Sequence, residues 1–359
     1  MRVRRRRLTL LVVLAAVSAA GLATGPAAPA PGSAATGSEA TSIALPGAPA
    51  DGVVLDYLAI DRARHRVWVP AGGTGKTVVI DTRTQELRLV ERFPTTEVER
   101  GGKKRVVGPS SATVGDGVVY VGNRGDSSVC AVDGTTLTRG GCVTLPSMPD
   151  GLAFIGGTKE VWVTAPRDRS IVVLDVSKPA TPRLAGSFEL DGEPEGYAVD
   201  ERRGLFYTNL EDKDRTLRID TSTRKVTATW SPACGEAGPR GLAIATKHQL
   251  LMVACPDHVE VLAARADGGI LSKLDTGDGV DNIDYLPAKR LLYVAAAGAA
   301  TLTVAQLEKS GTLKLVAART TAKGARNAVV ADDGIAYIAD GPDGKILVVQ
   351  PARGFEEPE

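Results

Sequence analysis

Seven times along the chain an apolar triplet with a bulky centre returns: Val67-Trp68-Val69, Val119-Tyr120-Val121, Val161-Trp162-Val163, Leu205-Phe206-Tyr207, Leu251-Met252-Val253, Leu292-Tyr293-Val294 and Ala336-Tyr337-Ile338. The central residues are spaced by 52, 42, 44, 46, 41 and 44 positions. A second apolar run precedes several of them, at 58–61, 152–154, 197–200 and 242–244. A third run follows and often ends in aspartate, as at Asp81, Asp133, Asp175 and Asp220. Short β-branched runs bounded by turn residues read as strands. Nothing after the N-terminal segment keeps a helical period. Units of roughly 40–50 residues with four short strands hide their faces by stacking radially. The pattern therefore predicts an all-β, seven-bladed β-propeller with four antiparallel strands per blade.

The last unit is one strand short. After 345–349 the chain meets Pro351 and an acidic tail, 351–359. Residues 41–45 look like 143–146, a fourth strand, and are expected to complete the last blade. That would pair edges otherwise left open and would make 41–350 a single propeller. Ahead of it, Arg2 and Arg4 to Arg7 precede an apolar stretch, with small residues at Ala19 and Ala23. This is the pattern of a signal peptide over 1–23, short for a membrane span of about 20 residues. Residues 24–40 are Pro, Ala, Gly and Ser with little else, too poor in apolar surface to offset ordering, and read as a disordered linker. Removal of 1–23 takes away five arginines and no acid, so the formal charge moves from +1 to −4. A weakly acidic domain has no basic footprint for nucleic acid and no polybasic patch for anionic lipid. The expectation is a secreted or extracytoplasmic monomer with no membrane span in the mature chain.

The segments 118–133, 204–226 and 291–304 resemble YVTN-type propeller repeats, as in the YncE-like bacterial proteins. The resemblance covers roughly 41–350. It implies the propeller fold, and for function it implies a binding or assembly role without naming a ligand.

Four cysteines in an exported chain allow three pairings. In the repeat, Cys130 lies in a third strand and Cys142 opens the fourth, facing each other across a hairpin. Cys234 lies in the loop entering the fifth blade and Cys255 ends that blade's second strand, on the same face. The expected bridges are Cys130–Cys142 and Cys234–Cys255. Four free thiols are the alternative, disfavoured by export. No Cys-x-x-Cys pair supports zinc.

A propeller gathers the loops entering its blades at one end of the central channel. The informative position there, often within Pro-x-Gly, holds Asp56, Ser110, Asp150, Glu195, Arg240, Asp281 and Arg326, with Asn282 and Asn327 following the last two. Asn123, Asn209 and Asp340 occupy an equivalent place after the second strand. This ring has two readings. One is a pocket for a cation, such as Ca²⁺, or for a small polar ligand or protein partner. The other is a network of ion pairs and water satisfied without a ligand. The first reading gives an exported binding or scaffold protein with no catalytic set and no required cofactor. The enzyme alternative is a metal-dependent lactonase-like hydrolase of sugar lactones, in which Glu195, Asn209, Asp281 and Asn282 would imitate an oxygen cage. His65, His248 and His258 are scattered and form no Ser-His-Asp or Cys-His set. The glycine-rich run 72–77 joins two strands and has Pro70 where a phosphate loop needs glycine. Arg124-Gly125-Asp126 is an adhesion-like tripeptide of common chance occurrence. The charged run 97–105 reads as a solvated excursion, with a partner-binding flap as the alternative.

Overall fold

The computed structural model describes residues 40–351 apart from Ala266. The expected signal peptide, 1–23, the expected linker up to residue 39 and the tail from residue 352 lie outside the described residues. Seven four-stranded antiparallel sheets follow one another as blades. Blades 1 to 6 take residues 59–90, 109–144, 152–189, 194–230, 242–275 and 280–320. Blade 7 is built from Ala325–Val330, Ala336–Asp340 and Lys345–Val349, and its fourth strand is Thr41–Ala44. That strand pairs Thr41 with Val348 and Ala44 with Lys345, so the ring closes as expected. We letter the strands of a blade a to d, a lining the channel.

The repeated triplets are the b strands, and burial explains the repeat. Trp68, Tyr120, Trp162, Phe206, Met252 and Tyr337 have no exposed surface, and Tyr293 almost none. Their side chains fill the gap between neighbouring blades. Trp162 lies 5.0 Å from Phe206 of the next blade and 5.2 Å from Phe188 of its own d strand. Each such side chain contributes on the order of 2–3 kcal/mol by leaving water. The recurring aspartates at the ends of c strands have a separate cause. Asp133 Oδ1 accepts the backbone N–H groups of Thr135 and Thr136 at 2.9 and 2.7 Å. Asp220 accepts those of Ser222 and Thr223 at 3.1 and 2.8 Å, and Asp81 does the same for Arg83 and Thr84. These carboxylates satisfy the donors of the c–d turn.

Both expected disulfides form, with Cα separations of 4.0 Å for Cys130–Cys142 and 5.1 Å for Cys234–Cys255. Cys130 and Cys142 are opposed in the c–d register of blade 2. The run 72–77 is a turn between the strands Arg66–Pro70 and Thr77–Asp81. The long connection between blades 1 and 2 is a solvated excursion, exposed over most of 96–106, and it is ordered as a β-hairpin, Thr96–Arg100 paired with Lys103–Val107. Gly101 and Gly102, at φ +58° and +71°, form its two-residue turn. Charged residues of low strand propensity mask the hairpin in sequence, and a Lys104–Glu97 bond of 2.7 Å spans its two strands. Among the described residues no helix is long and apolar enough to cross a membrane.

Candidate functional site

The a strands enter the channel from the face that also carries the b–c turns. Several carry an extra residue at the point of entry. The register shifts at Ser110 in blade 2, Gly196 in blade 4, 281–282 in blade 6 and Asn327 in blade 7. Such bulges bend a strand and re-aim its side chains, here toward the channel mouth. The glycine of Pro-x-Gly has a packing reason. A Cβ on Gly196 would stand 2.4 Å from the Arg240 carbonyl oxygen, and one on Gly241 would stand 2.7 Å from Asn282 Cα. Only glycine lets one blade's entry strand approach the next so closely.

The mouth brings together Asp56, Asp150, Glu195 and Asp281 with the guanidinium groups of Arg124 and Arg326. Arg124 bridges Asp56, at 2.8 Å, and Asp150, with all three side chains less than a fifth exposed. Arg326 pairs with Asp281 at 2.9 Å. Tyr57 reaches across the channel from blade 1 to blade 4. Its hydroxyl donates to Glu195 Oε1 at 2.6 Å and accepts the Gly196 N–H at 3.1 Å. Its ring stacks on Tyr197 with centroids 5.7 Å apart. Asn327, held at φ +60°, accepts the Asn282 N–H at 3.0 Å and donates to the Asp56 carbonyl at 3.1 Å. It thereby links blades 6, 7 and 1.

Burial and like charge dominate the electrostatics. Burial, reinforced by Asp150, Asp281 and Asp56, pushes the Glu195 carboxyl well above the usual range, and the Tyr57 hydrogen bond offsets this only in part. Burial raises Asp150 to about 6 against the pull of Arg124. It raises Asp281 too, against the pull of Arg326. Tyr57 rises through burial and the neighbouring Glu195. For Arg124, burial works against the charge, but Asp56 and Asp150 more than compensate and keep the guanidinium protonated. Four acids face two cations, and Asp150 Oδ2 meets no hydrogen-bond donor.

Other residues expected at the mouth are spent elsewhere. Arg240 turns to Glu211 of the neighbouring b–c turn and to the Ala237 carbonyl. Asn123 is fully buried, donating to the Pro94 carbonyl at 3.0 Å and to Asp126 at 2.8 Å. Asn209 donates to the Arg240 carbonyl and accepts from Thr216 at 2.7 Å. Both carboxamides tie a b–c turn to an entry loop, which consumes their polar atoms. Asp340 is buried beside Lys345 at 3.5 Å, and Ser110 is buried under the ring with its hydroxyl unpartnered. His258 bonds Asp257 and lies 3.4 Å from Glu260. Arg124-Gly125-Asp126 is not a free tripeptide: Arg124 is committed to the mouth, and Asp126 to Asn123 and Ser128. Among the described residues no three His, Cys, Asp or Glu side chains converge to hold a metal ion. The guanidinium of Arg124 stands where a cation between Asp56 and Asp150 would stand.

Three residues of the mouth escape a reading by repeat position: Arg124, Tyr57 and Tyr197. A signal for Tyr57 exists, since it follows Asp56 where blades 3, 4 and 5 carry Gly151, Gly196 and Gly241. A ring in a glycine slot has to project into the channel. For Arg124 the signal is the surplus of acids, which demands a buried cation from a nearby turn.

Two cavities adjoin the mouth. Beneath it lies a chamber of about 340 Å³ whose upper end is formed by Asp56, Tyr57, Tyr197, Asn282 and Asn327. Beside it, a cavity of about 850 Å³ lies between the hairpin, at Arg105 and Val106, and blades 1 and 7, with Arg326 on its wall.

No family model and no curated protein matches the chain. Among solved structures it is similar to a chain of a structure described as the mitotic checkpoint complex, at 15% identity and a TM-score of 0.69, covering 95% of this chain and 99% of that one. It is similar also to a chain of the Kuenenia stuttgartiensis hydrazine synthase, at 15% identity and a TM-score of 0.69, covering 84% and 96%. At this identity the likeness shows a shared β-propeller fold and nothing of activity.

Proposed function

We propose that this is an exported, YVTN-like propeller that acts as a binding protein, taking a small polar ligand with a positive charge at its channel mouth. The observation that carries the reading is the charge imbalance. Four buried or nearly buried acids face two guanidinium groups, and one oxygen of Asp150 lacks any donor. A buried site with surplus carboxylates is completed by a cation or by protons. Two disulfides agree with an oxidising compartment. The lactonase alternative gains no support from the donor set, because Asn209 faces away and Arg326 occupies Asp281.

Calorimetric titration at neutral pH with n-propylammonium, Ca²⁺, Mn²⁺ and Zn²⁺ tests the reading, together with a lactone-hydrolysis screen. Saturable binding of a cation, lost in Glu195→Gln and Asp150→Asn, is the expected result. Metal-dependent lactone turnover abolished in Glu195→Ala would replace the binding role with an enzymatic one. Absence of binding by every cation tried would leave the mouth a self-contained network.

A further inference from the structure

The chamber under the mouth differs from the mouth in character. Its walls below the ring carry the apolar side chains Leu58, Ile60, Val114, Leu242, Ile283 and Val329, with Thr113 and Asp284 among them. Only two charged residues line it, Asp56 and Asp284, and both are acids. Asp284 is fully engaged, accepting the Val330 and Tyr285 N–H groups at 2.8 and 2.9 Å. Asp56, by contrast, is held by Arg124 on one oxygen, while Asn327 reaches the other at a long 3.4 Å. Asp56 thus offers acceptor capacity at the chamber's upper end, next to the rings of Tyr57 and Tyr197. No basic side chain is among the lining residues.

From this arrangement we infer that the chamber takes a small organic amine, its ammonium at Asp56 and its apolar body down the channel toward Ile60, Val114 and Val329. The inference rests on the cation-binding reading above and narrows it. A hydrated metal ion would leave the apolar walls against water. A neutral apolar molecule would fill the walls but leave the acid surplus uncompensated. An amine with a hydrocarbon body meets both demands. A volume of about 340 Å³ falls at the small end of ligand pockets, roughly 300–1,000 Å³.

The test compares n-propylammonium, n-hexylammonium, 1-hexanol and Ca²⁺ by calorimetry on the full-length protein. Each buried methylene tightens binding about three- to fourfold. Hexylammonium is therefore expected to bind at least about tenfold more tightly than propylammonium, and more tightly than 1-hexanol or Ca²⁺. Val114→Phe, which fills the chamber away from Asp56, should abolish the chain-length gain while propylammonium still binds. That retained binding, with an unchanged unfolding temperature, shows that the variant is folded; if it does not fold, Val329→Phe takes its place. Asp56→Asn should weaken both amines and leave 1-hexanol unaffected. Equal affinity for the two amines, both sensitive to Asp150→Asn, would overturn the chamber and leave the mouth reading standing. Binding of 1-hexanol as tight as that of hexylammonium would overturn the role of charge. Failure of every cation to bind would remove the mouth reading, and the chamber inference with it.

Discussion

Replacing Arg124 with methionine keeps much of the side chain's bulk and removes its charge. Asp56 and Asp150, both almost wholly buried, would then face each other with no cation between them. Breaking a buried pair by removing one partner costs about 3–5 kcal/mol. The stranded carboxyls have one way to relieve that cost, which is to take up protons. Asp150 already titrates near 6 with the arginine in place, and without it the carboxyl must move higher. The sign follows from linkage. An acid whose native pKa exceeds its unfolded value binds more protons when folded, so stability falls as pH rises through the native pKa. One such group contributes a slope of up to about 1.4 kcal/mol per pH unit. The penalty of Arg124→Met is therefore expected to be about 1 kcal/mol near pH 5 and about 3–5 kcal/mol near pH 8. Urea unfolding of both proteins at about pH 5, 6.5 and 8 reads this directly. A penalty that stays flat across the range, or stays below about 1 kcal/mol at the alkaline end, would refute the bridging role assigned to Arg124.

Two further outcomes concern the scaffold. Non-reducing peptide mapping should join Cys130 to Cys142 and Cys234 to Cys255; paired Cys130→Ser and Cys142→Ser changes should cost about 2–3 kcal/mol, and four alkylatable thiols in the native protein would contradict both bridges. Deleting 41–45 should expose the edge of Lys345–Val349 and drive self-association visible by light scattering, whereas a monomeric variant of unchanged stability would show that the closing strand is dispensable.

The blades were legible because each must bury a large side chain at the same place, so Trp68, Tyr120, Trp162 and Phe206 had to recur at a near-constant interval. Cys130 and Cys142 could be paired because a c–d hairpin places opposed residues at predictable separations. Asp150 and Glu195 could be found because Pro-x-Gly marks the position where an entry strand turns inward, and Asp56 and Asp281 because they hold the equivalent position of the repeat. What stayed hidden depends on the direction of single side chains. Arg124 belongs to a turn of blade 2 and finds its partners in blades 1 and 3, a choice no local pattern records. Asn123 occupies the neighbouring position and points the other way, into the Pro94 carbonyl. Tyr57 meets Glu195 across the width of the channel, a contact set by the curvature of the whole ring. The 96–107 hairpin was obscured because its strands are held by a backbone ladder, a glycine turn and the Lys104–Glu97 pair, without an apolar alternation.

The pairing of Thr41 with Val348 also sets a timetable. The closing strand is made before the other six sheets and its partner after them, so six sheets can zip locally while one segment waits. Contacts between such remote stretches are slow to form. During that interval the unfinished ring carries a bare strand edge. Whatever keeps the early segment from pairing elsewhere governs the yield of correctly closed molecules.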